Sequence, residues 1–270
     1  MANPEDLGRY RLKRLLGRGA LGEVWEASDV SETGNKVAVK IMHAADDELT
    51  LARIHFAREA RLASEMRHPN FVTVHDGGEA AGTSFLVMEM VEGRSLRALT
   101  RDPGAKLEDK LRWLLEIAEG LAALHEGRLV HRDLKPENVI IRPDSSACIV
   151  DLGIAKWTKF ERAVDQDLER DLEIEAKPAR PEYVPPETTS EQLYDELGDQ
   201  YALGVLAYEL LTGEVPEEGS PGLAERVTEG GVPPAFARAL DRARSGPRED
   251  RWDTMERLVR ELYVALPGPA

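Results

Sequence analysis

Between Val130 and Ile141 the sequence reads VHRDLKPENVII, five charged residues (His131 included) and a proline between two apolar ends. A solvated loop can have the same composition, so the meaning of this stretch depends on matching chemistry elsewhere. Two other segments offer it. Gly17-Arg18-Gly19-Ala20-Leu21-Gly22-Glu23-Val24 spaces its glycines as GxGxxG, with strand-like residues on both sides, including Val24-Trp25-Glu26-Ala27. Dinucleotide-binding glycines need a helix opening at the end of the motif, whereas these fall at a hairpin tip. Such a tip can lay backbone N–H groups over phosphates without side-chain interference, and it can equally be a plain flexible turn. The other segment is Val37-Ala38-Val39-Lys40, whose closing lysine would ordinarily be a solvated surface residue. Glu59 changes that reading, because it falls on the inward face of a helix with Leu51, Leu62 and Met66, where an unpaired carboxylate is costly to bury. Pairing with Lys40 removes the cost and aims an ammonium group at an anion.

The elements that must position these residues fall into two textures. From Tyr10 to about Glu89 short strand-like runs dominate, at Tyr10–Leu16, Glu23–Ser28, Lys36–Ile41, Val72–His75 and Phe85–Glu89. One helix, from about Leu49 to Met66, interrupts them. After Gly93 the pattern turns helical: Leu107, Leu111, Leu114, Leu115, Ala118, Leu121 and Leu124 form one apolar stripe. Further helices are predicted at Asp199–Leu211, stopped by Gly213, at Pro234–Ala243 and at Thr254–Ala265. Glu92-Gly93 reads as the hinge between a small β-rich part and a larger helical one.

Composition excludes several function classes. The 270 residues, 42% hydrophobic, can bury a substantial core. No apolar run approaches the roughly 20 residues of a membrane span, and the start lacks a signal-peptide stretch, which predicts a cytoplasmic protein with no membrane contact in this chain. Cys148, the single cysteine, lies in an apolar strand-like run and reads as a buried, inert thiol. The net charge of −15 argues against nucleic acid as a partner, so any phosphate must be gripped locally.

In order along the chain, GxGxxGxV at Gly17–Val24, VAVK at Val37–Lys40, the helix Glu59, HRDLKPEN at His131–Asn138, Asp151-Leu152-Gly153 in place of DFG and Pro185-Pro186-Glu187 in place of APE resemble the motifs of protein kinases. The texture of GRYRLKRLLGRGALGEVWEA and DQYALGVLAYELLTG looks like the bacterial eukaryotic-like Ser/Thr kinases. The resemblance implies an α+β, bilobal protein-kinase-like fold: a domain over 10–266, with a small antiparallel β lobe carrying one helix over about 10–91 and a larger, mainly helical C-terminal lobe over about 92–266. It also implies ATP as phosphate donor, Mg²⁺ or Mn²⁺ as metal, and protein substrates with Ser or Thr acceptors.

The residue roles follow from that resemblance. Asp133 would accept or orient the proton of the attacking hydroxyl, and Lys135 would steady the transferring phosphoryl group. Asn138 and Asp151 would hold the metal, as hard oxygen donors suit Mg²⁺. Lys40, held by Glu59, would grip the α- and β-phosphates, under the loop formed by Gly17, Arg18, Gly19, Ala20, Leu21, Gly22 and Glu23. Leu16, Val24, Ala38 and Ile140 would sandwich the adenine, backbone groups of Glu89 and Val91 would bond its edge, and Met88 would set the pocket depth. Each apolar member could equally be plain core. Ser95 stands where relatives often place a ribose-binding acid. Asp199 would brace the catalytic-loop backbone, Arg132 would meet an activation-segment phosphate, and Arg251 would pair with Glu187. Lys135 favours Ser/Thr over Tyr acceptors.

Three departures keep a rival reading open, a pseudokinase that binds nucleotide or acts as a scaffold and transfers nothing. Arg180 replaces the threonine expected to bond the catalytic Asp and Lys, and it could either block Asp133 or recognise an acidic acceptor. Glu214–Pro234 is short for a substrate-docking helix, with only Leu223–Thr228 able to form one. The activation segment carries an acidic tract, Glu161–Glu175, that is either a solvated loop of like charges or a source of a carboxylate that meets Arg132 in place of phosphate. The second alternative predicts that unphosphorylated protein is already active and that Thr158→Ala changes the transfer rate little; a large loss in a kinase assay of that variant would count against it.

Overall fold

The structure is a computed structural model that describes residues 6–19, 22–31, 34–42, 60–80, 83–151, 181–190, 194–217, 219–227 and 230–266. The chain divides into two compact units. The described residues up to His68, with Val72–Val91, form the first; Pro69–Phe71, with those from Glu92 onward, form the second.

Strands β1 (Asp6–Leu7), β2 (Tyr10–Gly19), β3 (Gly22–Asp29), β4 (Lys36–Met42), β5 (Val74–Ala80) and β6 (Thr83–Glu89) build the first unit as one antiparallel sheet in the order β1-β2-β3-β4-β6-β5. Side chains alternate along each strand and cross-strand partners share a face. Val37, Val39 and Ile41 of β4, with Phe85 and Val87 of β6, therefore point one way and join Leu7, Tyr10 and Ala27 in a buried cluster. The opposite face carries Val24, Ala38, Lys40, Leu86 and Met88, paired as Val24 with Lys40, Lys40 with Leu86 and Ala38 with Met88. Of the interrupting helix, residues 60–65 are described; Ala60 and Ala63 supply its buried positions, while Leu62 and Met66 are half-buried.

β5 corrects the predicted strand over Val72–His75: it begins at Val74 and runs on to Ala80 through Gly77 and Gly78, which pair with Leu86 and Phe85. The glycine pair that reads as turn punctuation is part of the ladder. The residues just before it belong to the other unit, where Phe71 bridges Ile149 and Asn70 exchanges Nδ2 to Ala147 O and Ile149 N to Asn70 O, each at 2.8 Å.

In the second unit, β7 (Arg94–Ser95), β8 (Val139–Ile141) and β9 (Ala147–Ile149) form a three-stranded sheet. The helices are α1 (Leu96–Leu99), α2 (Leu107–Glu126), α3 (Pro186–Ser190), α4 (Glu196–Thr212), α5 (Leu223–Arg226), α6 (Pro234–Ala243) and α7 (Met255–Ala265). The predicted stripe of α2 is buried at Leu111, Leu114, Leu115, Ala118, Leu121 and Leu124, and α2 packs against α4, α7 and β9. α4 starts three residues before its predicted Asp199, because Asp195 accepts from Leu197 N at 3.0 Å and caps it there. It stops as predicted, with Gly213 in the left-handed region. Cys148 is fully buried. No helix among the described residues is long and apolar enough to cross a membrane.

Arg251 and Glu187 pair as the family resemblance implies. Arg251 NH1 and NH2 meet the two Glu187 oxygens at 2.6 and 2.8 Å, and Ser245 O, Leu197 O and Gly246 O accept the remaining N–H groups. All five guanidinium donors are thus used on a side chain with 0% exposure.

Two outcomes are expected. Arg251→Ala, which leaves the Glu187 carboxylate buried and unpaired, should cost about 3–5 kcal/mol in urea denaturation, and Arg251→Met with Glu187→Leu should recover most of it. Gly93 holds φ 151°, and a Cβ there would lie 2.2 Å from Ile141 O. Gly93→Ala should therefore cost more than about 1 kcal/mol, lowering Tm by at least about 2–4 °C in a thermal melt.

Candidate functional site

The charged loop His131–Asn138 lies in the second unit, between α2 and β8, and its backbone is held from below. Asp199, in the first turn of α4, is fully buried. Its Oδ2 accepts from His131 N and lies 2.8 Å from His125 Nε2; its Oδ1 accepts from Arg132 N at 2.9 Å and from Tyr194 Oη at 3.4 Å. Burial alone would raise the Asp199 pKa, but the His125 hydrogen bond, the charges of His125 and His131 and the His131 N–H bring it below the usual carboxylate value. The clamp fixes Arg132 at φ 62°, a left-handed conformation that costs an arginine about 1–3 kcal/mol.

Beyond Arg132 the predicted site residues converge. Lys135 Nζ donates to Asp133 Oδ2 at 2.8 Å, and Asn138 Nδ2 donates to Asp133 O at 2.8 Å and to Oδ2 at 3.1 Å. Pro136 opens a single 3₁₀ turn, Pro136–Asn138, that brings Asn138 back towards Asp133. Val150 N donates to Asn138 O at 2.8 Å, so Asp151 is one residue beyond a backbone tie to Asn138. Asp151 itself has φ 73°. With its amide nitrogen turned to Asp133, Asn138 keeps its amide oxygen for a cation. Among the described residues no group of three or more His, Cys, Asp or Glu side chains could hold a metal. One amide and one carboxylate oxygen fit a cation that keeps much of its water shell, as Mg²⁺ does.

A second charged network braces the loop from the side, and nothing local in the sequence announces it. Arg97 of α1 pairs with Glu137, Nε to Oε1 at 2.9 Å, and with Glu209 of α4; Glu209 also accepts from the Tyr183 hydroxyl. Burial alone would lower the Arg97 pKa, yet the hydrogen bonds of Glu209 and Glu137 raise it. Burial, with Glu209 beside it, pushes the Tyr183 phenol up, so it stays a donor. Arg97 is 112 residues from Glu209, and His125 is 74 from Asp199, separations at which no periodicity signals a pair.

The first unit carries the expected nucleotide residues. β2 and β3 form the predicted glycine hairpin, with Gly17 opposite Val24, Arg18 opposite Glu23 and Gly19 opposite Gly22. The register slips between Leu15 and Gly17, which leaves Leu16 in the irregularity, 37% exposed. Lys40 is buried, on the sheet face it shares with Val24, Ala38 and Met88. Glu89 donates its N–H to Thr73 O at 2.8 Å, and Val91 ends this unit. In the second unit, Ile140 pairs with Ser95 and Cys148, and Ser95 Oγ accepts from Ala98 N at 3.4 Å as the cap of α1. Ala20, Leu21, Glu59, Leu152, Gly153, Thr158, Arg180 and the acidic tract lie outside the described residues.

Comparison with known proteins identifies the family. The protein kinase domain model matches residues 10–251. The Myxococcus xanthus serine/threonine-protein kinase pkn2 is 38% identical over 225 residues, 81% of this chain and 26% of that protein. Mycobacterium tuberculosis PknH is 32% identical over 275 residues, 97% of this chain and 42% of that protein. The chain thus spans less than half the length of these relatives. Among solved structures, the Mycobacterium tuberculosis PknI kinase domain superposes with a TM-score of 0.74 at 26% identity, covering 98% of this chain and all of that one. With an antiparallel β unit, a mainly helical unit and a family match over most of its length, the chain belongs to the protein kinase family.

Proposed function

We propose that this chain is an ATP-dependent Ser/Thr protein kinase domain extending over 10–266, acting in the cytoplasm on protein hydroxyls. The observation that carries the reading is the Asp133 carboxylate, which accepts from Lys135 and Asn138 on a loop whose preceding backbone is clamped by a buried carboxylate. A carboxylate so held can orient the acceptor hydroxyl and take its proton without reorganising, which is where positional catalysis gains most. Lys135, already beside Asp133, is placed to neutralise charge on the transferring group. Lys135 also favours Ser and Thr acceptors.

Asn138 and Asp151 are the residues that would hold Mg²⁺, or Mn²⁺ in its place; the cation would supply charge neutralisation at the phosphates. On the other unit, Lys40 is the proposed partner of the α- and β-phosphates, with Glu59 as its counter-ion. Gly17, Arg18, Gly19, Ala20, Leu21, Gly22 and Glu23 form the proposed phosphate cover. Gly17 has room on its side-chain side, since an added Cβ would meet no atom within 4 Å, so packing within the hairpin does not account for a glycine there. Leu16, Val24, Ala38, Met88 and Ile140 are the proposed adenine contacts. The Glu89 N–H is engaged by Thr73, so its bond to the adenine edge falls to its carbonyl, with Val91 supplying the other backbone group.

The test is incubation with γ-labelled ATP and a generic basic protein, in Mg²⁺ and in Mn²⁺. Transfer to the basic protein or to the chain itself is expected. Asp133→Asn should lower transfer by about 10²–10⁴-fold and leave the nucleotide-induced rise in Tm intact. If wild-type protein transfers nothing while nucleotide still raises Tm, the chain is a nucleotide-binding pseudokinase and the proposal fails.

A further inference from the structure

We propose that Tyr194 is a positioning residue for phosphoryl transfer, acting through Asp199 on the backbone that carries Asp133; this rests on the role given to Asp133 above. The Tyr194 hydroxyl donates to Asp199 Oδ1 at 3.4 Å, and the same oxygen accepts from Arg132 N at 2.9 Å. Oδ2 is already shared by His125 Nε2 and His131 N. Tyr194 is therefore the fourth donor of a fully buried carboxylate, and without it Oδ1 keeps only the Arg132 N–H among these contacts. That N–H belongs to the residue held at φ 62°, directly before Asp133. Looser anchoring of Oδ1 gives the strained residue freedom to relax, and Asp133 moves with it.

The placement of the ring is built into the start of α4. Gly198 lies against it: a Cβ on that residue would sit 2.7 Å from Tyr194 Cε1, 2.8 Å from Cδ1 and 2.9 Å from Cζ. A glycine in the first turn of a buried helix is costly to helix propensity, and here its lack of a side chain admits the ring. The neighbouring Asp195 is fixed twice, by capping Leu197 N at 3.0 Å and by Arg248 at 2.5 Å, which sets where the chain delivers Tyr194. Burial raises the Tyr194 pKa, and the charges on Asp199 and Asp133 add to that, so the phenol remains a donor through the neutral range. A phenylalanine would fill the same space without having to desolvate a hydroxyl; what tyrosine adds at Asp199 is a hydrogen bond.

Tyr194→Phe separates the bond from the packing. In the full chain kcat is expected to fall about three- to tenfold, the scale of one hydrogen bond, with the KM for ATP and the nucleotide-induced rise in Tm within about twofold of wild type. Amide hydrogen exchange, which needs no turnover, should rise in residues 130–134 and not elsewhere. Gly198→Ala, which displaces the ring and leaves the hydroxyl present, should give the same local exchange. Wild-type kcat with unchanged exchange at 130–134 in Tyr194→Phe would overturn the proposal, as would a uniform rise in exchange with a general loss of stability, which would mark Tyr194 as packing alone. If wild-type protein transfers no phosphate, the kinase reading fails, and the exchange measurement still decides whether Tyr194 holds the loop.

Discussion

The second unit depends on a carboxylate with no access to water. Burying Asp199 unpaired would cost several kcal/mol, so it persists only because donors surround it. Two of those donors are backbone N–H groups of His131 and Arg132, and that choice has structural consequences. Side-chain donors could have satisfied the charge and left the loop free; backbone donors tie the path of the loop to the position of α4. The about 1–3 kcal/mol of strain at Arg132 is tolerated because hydrogen bonds to an ionised group are each worth about 1.5–3 kcal/mol.

The Arg97 network applies the same logic at lower stakes. One guanidinium serves two carboxylates, Glu137 on the loop and Glu209 on α4, and the Tyr183 hydroxyl completes Glu209. Glu137 directly precedes Asn138, and Tyr183 belongs to the short 3₁₀ turn Pro181–Tyr183 before α3. The loop and the chain entering α3 thus share a common anchor through α4. Arg97 and Glu137 are partly exposed, so their pair is screened and adds little energy; Glu209 is buried, and its partners are not interchangeable with water.

What the sequence made legible follows from the range of each interaction. The stripe of α2, the span of α6 and the stop at Gly213 are local, repeating or conformational signals, and each element forms where its pattern lies. The loop residues Asp133, Lys135 and Asn138 were legible because they cluster within six positions, and Arg251 with Glu187 because the family resemblance links them. His125 and Arg97 were not, since their partners are far along the chain and their own neighbours carry no matching period. β5 was misplaced for a different reason: pairing with Phe85 and Leu86 overrides the turn tendency of Gly77 and Gly78.

The two units reach rigidity by different routes, each suited to the residues it carries. Electrostatic catalysis rewards charges that are fixed before the reaction, because a charge that must reorganise loses much of what it gains. Lys40 is fixed by a strand paired on both sides, with β3 and β6, so its backbone is held by ladder bonds and its side chain leaves from a defined face. Asp133 has no such ladder, because it lies in the loop between α2 and β8. Its order comes instead from side chains that reach to the backbone: Asp199 beneath, Asn138 to the Asp133 carbonyl, and the His131 ring to the Asp133 N–H at 3.3 Å. Those bonds are few and specific, so a single lost donor should be felt in the loop before it is felt in the fold.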